Sequence, residues 1–343
     1  MEQLIDGAIE RRQAFVAESR RTPHPKNAFR LFDGFREGAP RFVLDVYGTS
    51  LVVFDHGDPE EEGAGVESAR ALADLVISKL PFLKTAVHKP KGVRDPILRR
   101  GSLLAGDEAE LCRAIEEDGV RYAIRLLLHH DASFYLDTRN LRAFVREQAP
   151  GKRVLNAFAY TGSVGVAAAA AGAKAVVQTD RSKLFLNVAK DSNALNGLPV
   201  ARPSFLAGDY FDVTAQLRKK NELFDLVILD PPLFADSARG RVDLEATYGR
   251  LVDKVRPVVG DGGLLVLVNN ALFVSGIAFM QSIDAIVGQG YAKLEKTISV
   301  PEDCAPVTDD ASEAKLPADP APFNHATKIA VLRLNRRDAR RAS

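Results

Sequence analysis

Lys152-Arg153-Val154-Leu155-Asn156-Ala157-Phe158, then Tyr160-Thr161-Gly162-Ser163-Val164-Gly165, then Lys174-Ala175-Val176-Val177-Gln178-Thr179-Asp180: these three segments decide the fold. The first reads as a buried parallel strand, the second as a tight turn opening a helix, and the third as the next strand. The helix, Val164 to Ala171, is almost all Ala and Val, so it can lie close against a sheet and be covered on both sides. Gly172-Ala173 ends it. Together they form a βαβ unit whose turn points at a ligand. Asp180 follows about twenty positions on, where an acid can hold a ribose.

A dinucleotide turn wants Gly-x-Gly-x-x-Gly so that backbone can approach a pyrophosphate, but Phe158 and Tyr160 fill the first two glycine places here. That bulk argues against a pyrophosphate. A better fit is the S-adenosylmethionine pattern, an acid or Asn followed by x-Phe/Gly-x-x-Thr-Gly, with Asn156 at the acidic place and Phe158, Tyr160, Thr161 and Gly162 following. Arg181, next to Asp180, is counted with this pocket. Taken alone, the unit also suits any other doubly wound protein. Two further strands tip the balance, because each ends in a polar group at the edge where open α/β sheets bind ligands. Ser204 to Tyr210 places Asp209 where it can accept from an adenine amino group, with Tyr210 beside it. Phe224 to Pro232 ends in Asp230-Pro231-Pro232, where proline removes a donor and stiffens the chain, holding the acid at the pocket rim.

From about Asn27 to Leu334 the sequence resembles the bacterial large-subunit ribosomal RNA methyltransferases of the cytosine-C5 type, and its catalytic half also resembles the guanine-N7 enzyme of that subunit. The resemblance is carried by Ala28-Phe29-Arg30-Leu31 with Phe42 to Gly48, by Phe134-Tyr135-Leu136-Asp137-Thr138-Arg139, by Val154 to Gly162 and by Phe224 to Phe234. It implies a class I methyltransferase, a Rossmann-like α/β fold with a seven-stranded, mostly parallel sheet and helices on both faces, preceded by a smaller α/β module. The expected organisation is an N-terminal helix and linker over 1–25, an RNA-positioning module over 26–128 and the methyltransferase domain over 129–343. It also implies S-adenosylmethionine as methyl donor, RNA as partner, and Tyr135, Asp137 and Arg139 as pocket residues. Where the family shows Lys-Thr-Gly, this chain has Asp131-Ala132-Ser133, which adds an acid beside the expected pocket.

The 343 residues suffice for two domains, each with its own core. No apolar run reaches membrane-spanning length and the start is not a targeting segment, so neither a membrane nor a signal peptide is expected. Two cysteines, Cys112 and Cys304, make neither a disulfide framework nor a zinc site, which leaves a reducing cytoplasm as the default. The net charge of +1 means that a nucleic acid would have to be met by a local basic patch.

Residues 2–21 read as one packing helix, broken by Pro23-His24-Pro25. Cytosine-C5 enzymes commonly begin with a small β-barrel RNA-binding domain, and none is expected before Asn27. Strands are read at Arg41 to Val46, Ser50 to Phe54 and Thr85 to Lys89, with a helix from Val66 to Leu80. Asp58 to Gly63 is read as a solvated loop. Lys89, Lys91, Arg94, Arg99 and Arg100 form the densest basic stretch and the first candidate RNA surface, although a charge run is more often just a solvated face. Ile124 to Leu128 reads as a strand leading to His129-His130-Asp131; adjacent histidines point to opposite sides of an extended chain, so no metal is expected.

The chemistry turns on Gly262 to Asn270. Cytosine C5 becomes nucleophilic only after something adds to C6, and the cytosine-C5 enzymes supply a cysteine thiolate after this strand. Asn270 stands in that place here, and an amide is no nucleophile. Cys304 is read as structural. The pair Asn269-Asn270 instead resembles the guanine-N7 enzyme, and a ring nitrogen can take the methyl directly if it is held in line. Asn269 and Asn270 are therefore read as holding the base edge, Asp230 with Pro231 and Pro232 as the acidic rim, Phe234 as a stacking face or lid residue, and Lys328 as a pocket lysine. The chain closes with helices at Leu244 to Val258 and Gly276 to Gly288, and with Ala292 to Val300 pairing antiparallel to Ile329 to Leu334. The Asp309 to Pro322 segment and the basic tail from Arg336 are read as mobile. The expectation is direct methyl transfer to an RNA base nitrogen. The alternatives are a cytosine-C5 enzyme with another nucleophile, a small-molecule or protein methyltransferase, or a donor-binding RNA module without catalysis; a homodimer stays open.

Overall fold

The computed structural model describes residues 1–22, 24–58, 64–232, 234–237, 240–305 and 317–335. The expected solvated loop at 59–63, most of the acidic segment at 306–316 and the basic tail from 336 lie outside the described residues, as does the Phe234 side chain. The chain forms two compact units, Met1–Leu136 with Pro301–Leu316, and Asp137–Val300 with Pro317–Ser343.

In the first unit, residues 2–21 are two helices, α1 (Glu2–Arg11) and α2 (Gln13–Arg20), not one. The break is at Arg12, whose guanidinium turns inward and donates to both carboxylate oxygens of Glu37 at 2.8 and 2.9 Å, with both side chains about 2% exposed. Satisfying a buried pair outweighs one helical residue. Strands β1 (Ala28–Asp33), β2 (Phe42–Tyr47) and β3 (Ser50–Asp55) run antiparallel in sequence, and helix α3 (Ala64–Lys79) crosses back to β4 (Thr85–Pro90), parallel to β3. β5 (Ser102–Ala105) completes a sheet in the order β1-β2-β3-β4-β5. A hairpin of β6 (Ala114–Glu117) and β7 (Val120–Ala123) follows, turning on Asp118-Gly119, both with positive φ, as a two-residue hairpin turn requires. The strand expected at Ile124 to Leu128 does not form. Ser133 Oγ takes the Arg125 backbone N–H at 2.7 Å and Leu128 N–H closes a turn on Arg125, so ladder partners are lost.

The second unit is a doubly wound sheet. Helix α4 (Arg139–Gln148) leads to β8 (Arg153–Ala157), α5 (Ser163–Ala170), β9 (Ala175–Asp180), α6 (Lys183–Leu195), β10 (Phe205–Ala207), α7 (Tyr210–Lys219) and β11 (Phe224–Leu229). A small hairpin of β12 (Phe234–Ser237) and β13 (Gly240–Asp243) precedes α8 (Leu244–Val255), β14 (Val259–Asn269), α9 (Gly276–Val287), β15 (Ala292–Ile298) and β16 (Lys328–Leu334). The strand order is β10-β9-β8-β11-β14-β16-β15; its first five strands are parallel and its last two pairings antiparallel, which agrees with the mostly parallel seven-stranded sheet that the resemblance implied and with the antiparallel end read from the sequence. Apolar clusters fill both faces: Val227, Leu265, Tyr248 and Phe279 on one, Val154, Ile228, Val266 and Leu141 on the other. Helix α5 is buried along most of its length, which only small side chains allow. Chain order reverses at β8, flanked by β9 and β11, and open sheets of this kind bind ligands outside the strand tips at that point. Among the described residues no helix is long and apolar enough to cross a membrane.

Candidate active site

Register brings the tips of β8, β9, β11 and β14 to one edge of the second unit, since Ala157 pairs with both Thr179 and Leu229, and Leu229 pairs with Leu267. Phe158, Tyr160 and Gly162 in the turn after β8 all have positive φ, 58°, 52° and 79°. For aromatic residues that is a strained conformation of the kind concentrated at ligand sites. The two side chains that occupy glycine places thus keep glycine-like backbone. Hydrogen bonds hold the turn. Ala159 N–H donates to Thr179 O, and Tyr160 N–H donates to Asp180 Oδ2 at 2.8 Å. Asp180 Oδ1 accepts from Ser182 N–H at 2.8 Å, and burial pushes this carboxyl above its ordinary range. Each carboxylate oxygen keeps a second lone pair, which suits a pair of vicinal hydroxyls.

Gly162 has a second reason to be glycine. A Cβ there would sit 2.4 Å from Ala189 Cβ and 2.5 Å from Gln178 Oε1, and one at Gly165 would sit 2.4 Å from Gln178 Cδ. Gln178 is a residue that pattern reading missed. Buried on β9, it lies across the start of α5 and accepts from Asn156 Nδ2 at 3.4 Å. Asn156, at the expected acidic place, is therefore a buried partner of Gln178.

The other expected pocket residues separate into groups that turn inward and groups that do not. Tyr210 stacks on Phe158 with centroids 4.7 Å apart, while its hydroxyl donates to Leu251 O at 2.8 Å; ring and hydroxyl are both buried in the fold. Asp209 caps α7 by accepting from Phe211 N–H. Thr161 is buried and Arg181 exposed. Asp137 accepts from Thr327 Oγ1 at 2.6 Å, and Arg139 opens α4. Tyr135, in the first unit, is 44% exposed and its hydroxyl donates to Asp131 Oδ2 at 3.0 Å.

At the tip of β11, Asp230 Oδ1 is buried without a protein hydrogen-bond partner. Burial first, and the charge of Asp137 second, push the Asp230 carboxyl up to about 7. Behind it Tyr248, also missed in the sequence, donates to Val268 O. Pro231 is buried and Pro232 exposed. Across the edge, Asn269 is 1% exposed and its Oδ1 accepts from Ala271 N–H at 3.0 Å, whereas Asn270 is exposed. Lys328 pairs with Asn269 in the sheet and is fully buried. Its ammonium donates to Ala271 O at 3.1 Å and to Ala326 O, and burial lowers it to about 8.

In the first unit, ligand-capable atoms of His129, His130 and Asp131 lie within 4.8 Å of one another. The Arg99 guanidinium lies 3.4 Å from His130 Nδ1, and His130 Nε2 lies 4.0 Å from Asp131 Oδ2. The Lys89 ammonium donates to Arg100 O and His129 O at 2.6 and 2.7 Å, and burial brings it to about 7. It belongs to the interior; of the basic stretch, Arg94 and Arg100 are exposed.

A seven-stranded sheet of this order, with a strained turn tied to an acid on the next strand and further carboxylates at the neighbouring tips, defines a class I S-adenosylmethionine-binding protein. The acids at Asp137, Asp180 and Asp230, one with a buried oxygen lacking a protein donor, suit a cationic sulfonium carrying an ammonium and a ribose. Residues 98–303 match the S-adenosylmethionine-dependent methyltransferase family, and the chain belongs to it. It is 32% identical over 73% of its length to Ribosomal RNA large subunit methyltransferase I of Photobacterium profundum, covering 64% of that protein. It is 30% identical over 66% of its length to Ribosomal RNA large subunit methyltransferase K/L of Pseudoalteromonas translucida, covering 32% of it. The chain thus spans less than two thirds of the curated relatives it matches. The solved structure of SMU.776, assigned as a methyltransferase and complexed with SAH, superposes over 97% of this chain and 80% of its own with a TM-score of 0.80 at 22% identity, which marks a shared fold.

Proposed function

We propose that this protein is a cytoplasmic enzyme that methylates a base of RNA, most directly large-subunit ribosomal RNA, by direct transfer to a base nitrogen without a cysteine nucleophile. The RNA class is supported by what its relatives are named for. The single observation that carries the nitrogen reading is Asn270, an exposed amide at the end of β14 where the cytosine-C5 resemblance calls for cysteine. Neither thiol of the chain offers a substitute. Cys304 is fully buried in the first unit, and burial pushes the Cys112 thiol up to about 11, so little thiolate forms there.

S-adenosylmethionine, when bound, supplies a methyl carbon on a sulfonium that a ring nitrogen attacks in line, sulfur leaving as a thioether. Asp180, held by the Tyr160 and Ser182 N–H groups, orients the ribose. The Asp230 carboxylate, when ionised, faces the positive charge that passes to the base, and the Asn270 amide offers a donor and an acceptor to the base edge. Asn269 serves by holding the turn that carries Asn270. Arg94 and Arg100 are the phosphate contacts we assign to the first unit. Nucleoside mass spectrometry of RNA from cells with and without the gene is the test. A methylguanosine lost on deletion is the expected outcome, a lost 5-methylcytidine overturns the nitrogen reading, and an unchanged nucleoside profile overturns RNA as substrate.

A further inference from the structure

Three and four residues beyond β14, the chain puts two large apolar side chains where turn chemistry asks for Gly, Asn, Asp or Pro. Val274 N–H bonds back to Ala271 O, and Leu272 and Phe273 are the two residues at the turn's tip, 47% and 71% exposed. Both ends of the turn are anchored. Ala271 is fully buried, its N–H donating to Asn269 Oδ1 and its carbonyl accepting from the buried Lys328 ammonium, and Val274 is 7% exposed within the apolar core. Ile277, on the first turn of α9, is 60% exposed. A turn this firmly held has no need of a phenylalanine in water, and a local rule broken without a structural return is the mark of a binding position.

We infer that Phe273 is the stacking face for the unpaired target base, with Leu272 and Ile277 flanking it and the Asn270 amide reaching the base edge from three residues earlier. The inference rests on the RNA reading above and names the surface that reading uses. A π face with an amide close by is the usual equipment for holding a base drawn out of its stack. Lys328 and Asn269 then act as positioning residues, since they fix the turn without meeting the substrate.

Steady-state methylation of large-subunit ribosomal RNA from a gene-deleted strain tests this, with donor affinity followed in parallel by calorimetry. Phe273→Ala and Phe273→Leu should each lower kcat/KM for RNA about tenfold to a hundredfold, while Phe273→Tyr stays within about threefold. Donor affinity and Tm should hold in all three, which separates a lost stacking face from a misfolded protein. If the Leu variant matches wild type, the position needs only apolar bulk and stacking is overturned. If all variants match wild type on RNA but alter the sedimentation of the protein, the ridge is a contact between copies and the inference fails while the RNA reading stands. Absence of methyl transfer by the wild-type protein, with donor bound, removes both.

Discussion

Asp230 is the residue whose ionisation reports most on the site. Its carboxyl titrates near 7 in the folded chain and near its ordinary value once unfolded. Between those values the folded state holds the extra proton, so stability falls as pH rises from about 4 to about 7 and is level above that. Asp230→Asn mimics the protonated group. Denaturant melts should show it close to wild type at pH 4 and more stable by roughly 1 to 4 kcal/mol at pH 8. A shift of equal size at both pH values would mean that Asp230 is not held protonated. Methyl transfer by the wild type should rise through pH 7 as the carboxylate forms, and the Asn variant should lose that rise.

At the scale of elements, the β8–α5 turn combines two demands on Gly162, a left-handed backbone and room for Gln178 and Ala189. Gly172, just after α5, shares the positive φ, 86°, but a Cβ there meets nothing within 4 Å. Gly172→Ala should therefore cost about 1 kcal/mol through backbone strain alone. Gly162→Ala should cost roughly 2 to 4 kcal/mol and weaken donor binding, because the turn and α5 must shift as well. Urea melts of the two variants give the comparison, and equal losses would place the constraint in the backbone only. The turn was legible as a turn because Thr161-Gly162 and the small-residue helix follow a strand. Its occupant, Gln178, was not, since a polar residue in an apolar strand gives no hint of which glycines it lies beneath. The split of residues 2–21 was hidden likewise: an arginine in a helix pattern reads as surface until a carboxylate 25 positions away claims it.

The whole chain carries a net charge of only +1, so RNA affinity must come from a local basic face and not from the protein's whole field. Filter binding of ribosomal RNA across salt concentrations should give a linear log–log dependence, and Arg94→Ala with Arg100→Ala should reduce its slope by about 1 to 2. An unchanged slope would remove that face from the RNA path. Composition and strand pattern by themselves determined a great deal: room for two units, the βαβ unit, the antiparallel end of the sheet, and a row of polar strand tips at Asn156, Asp180, Asp209, Asp230 and Asn269. These are local properties, because periodicity, turn residues and the acid at a strand's end are all written within a few positions. Only the tertiary structure decided what each tip does. Asn156 is taken by Gln178, Tyr210 by Leu251 O, 41 positions away, and Lys328 by Ala271 O, 57 positions away, while Asp230 keeps a buried oxygen and Phe273 stands in water. A polar group's partner is set by which distant segments the packed core brings within 3 Å, and no window of neighbouring residues contains that information.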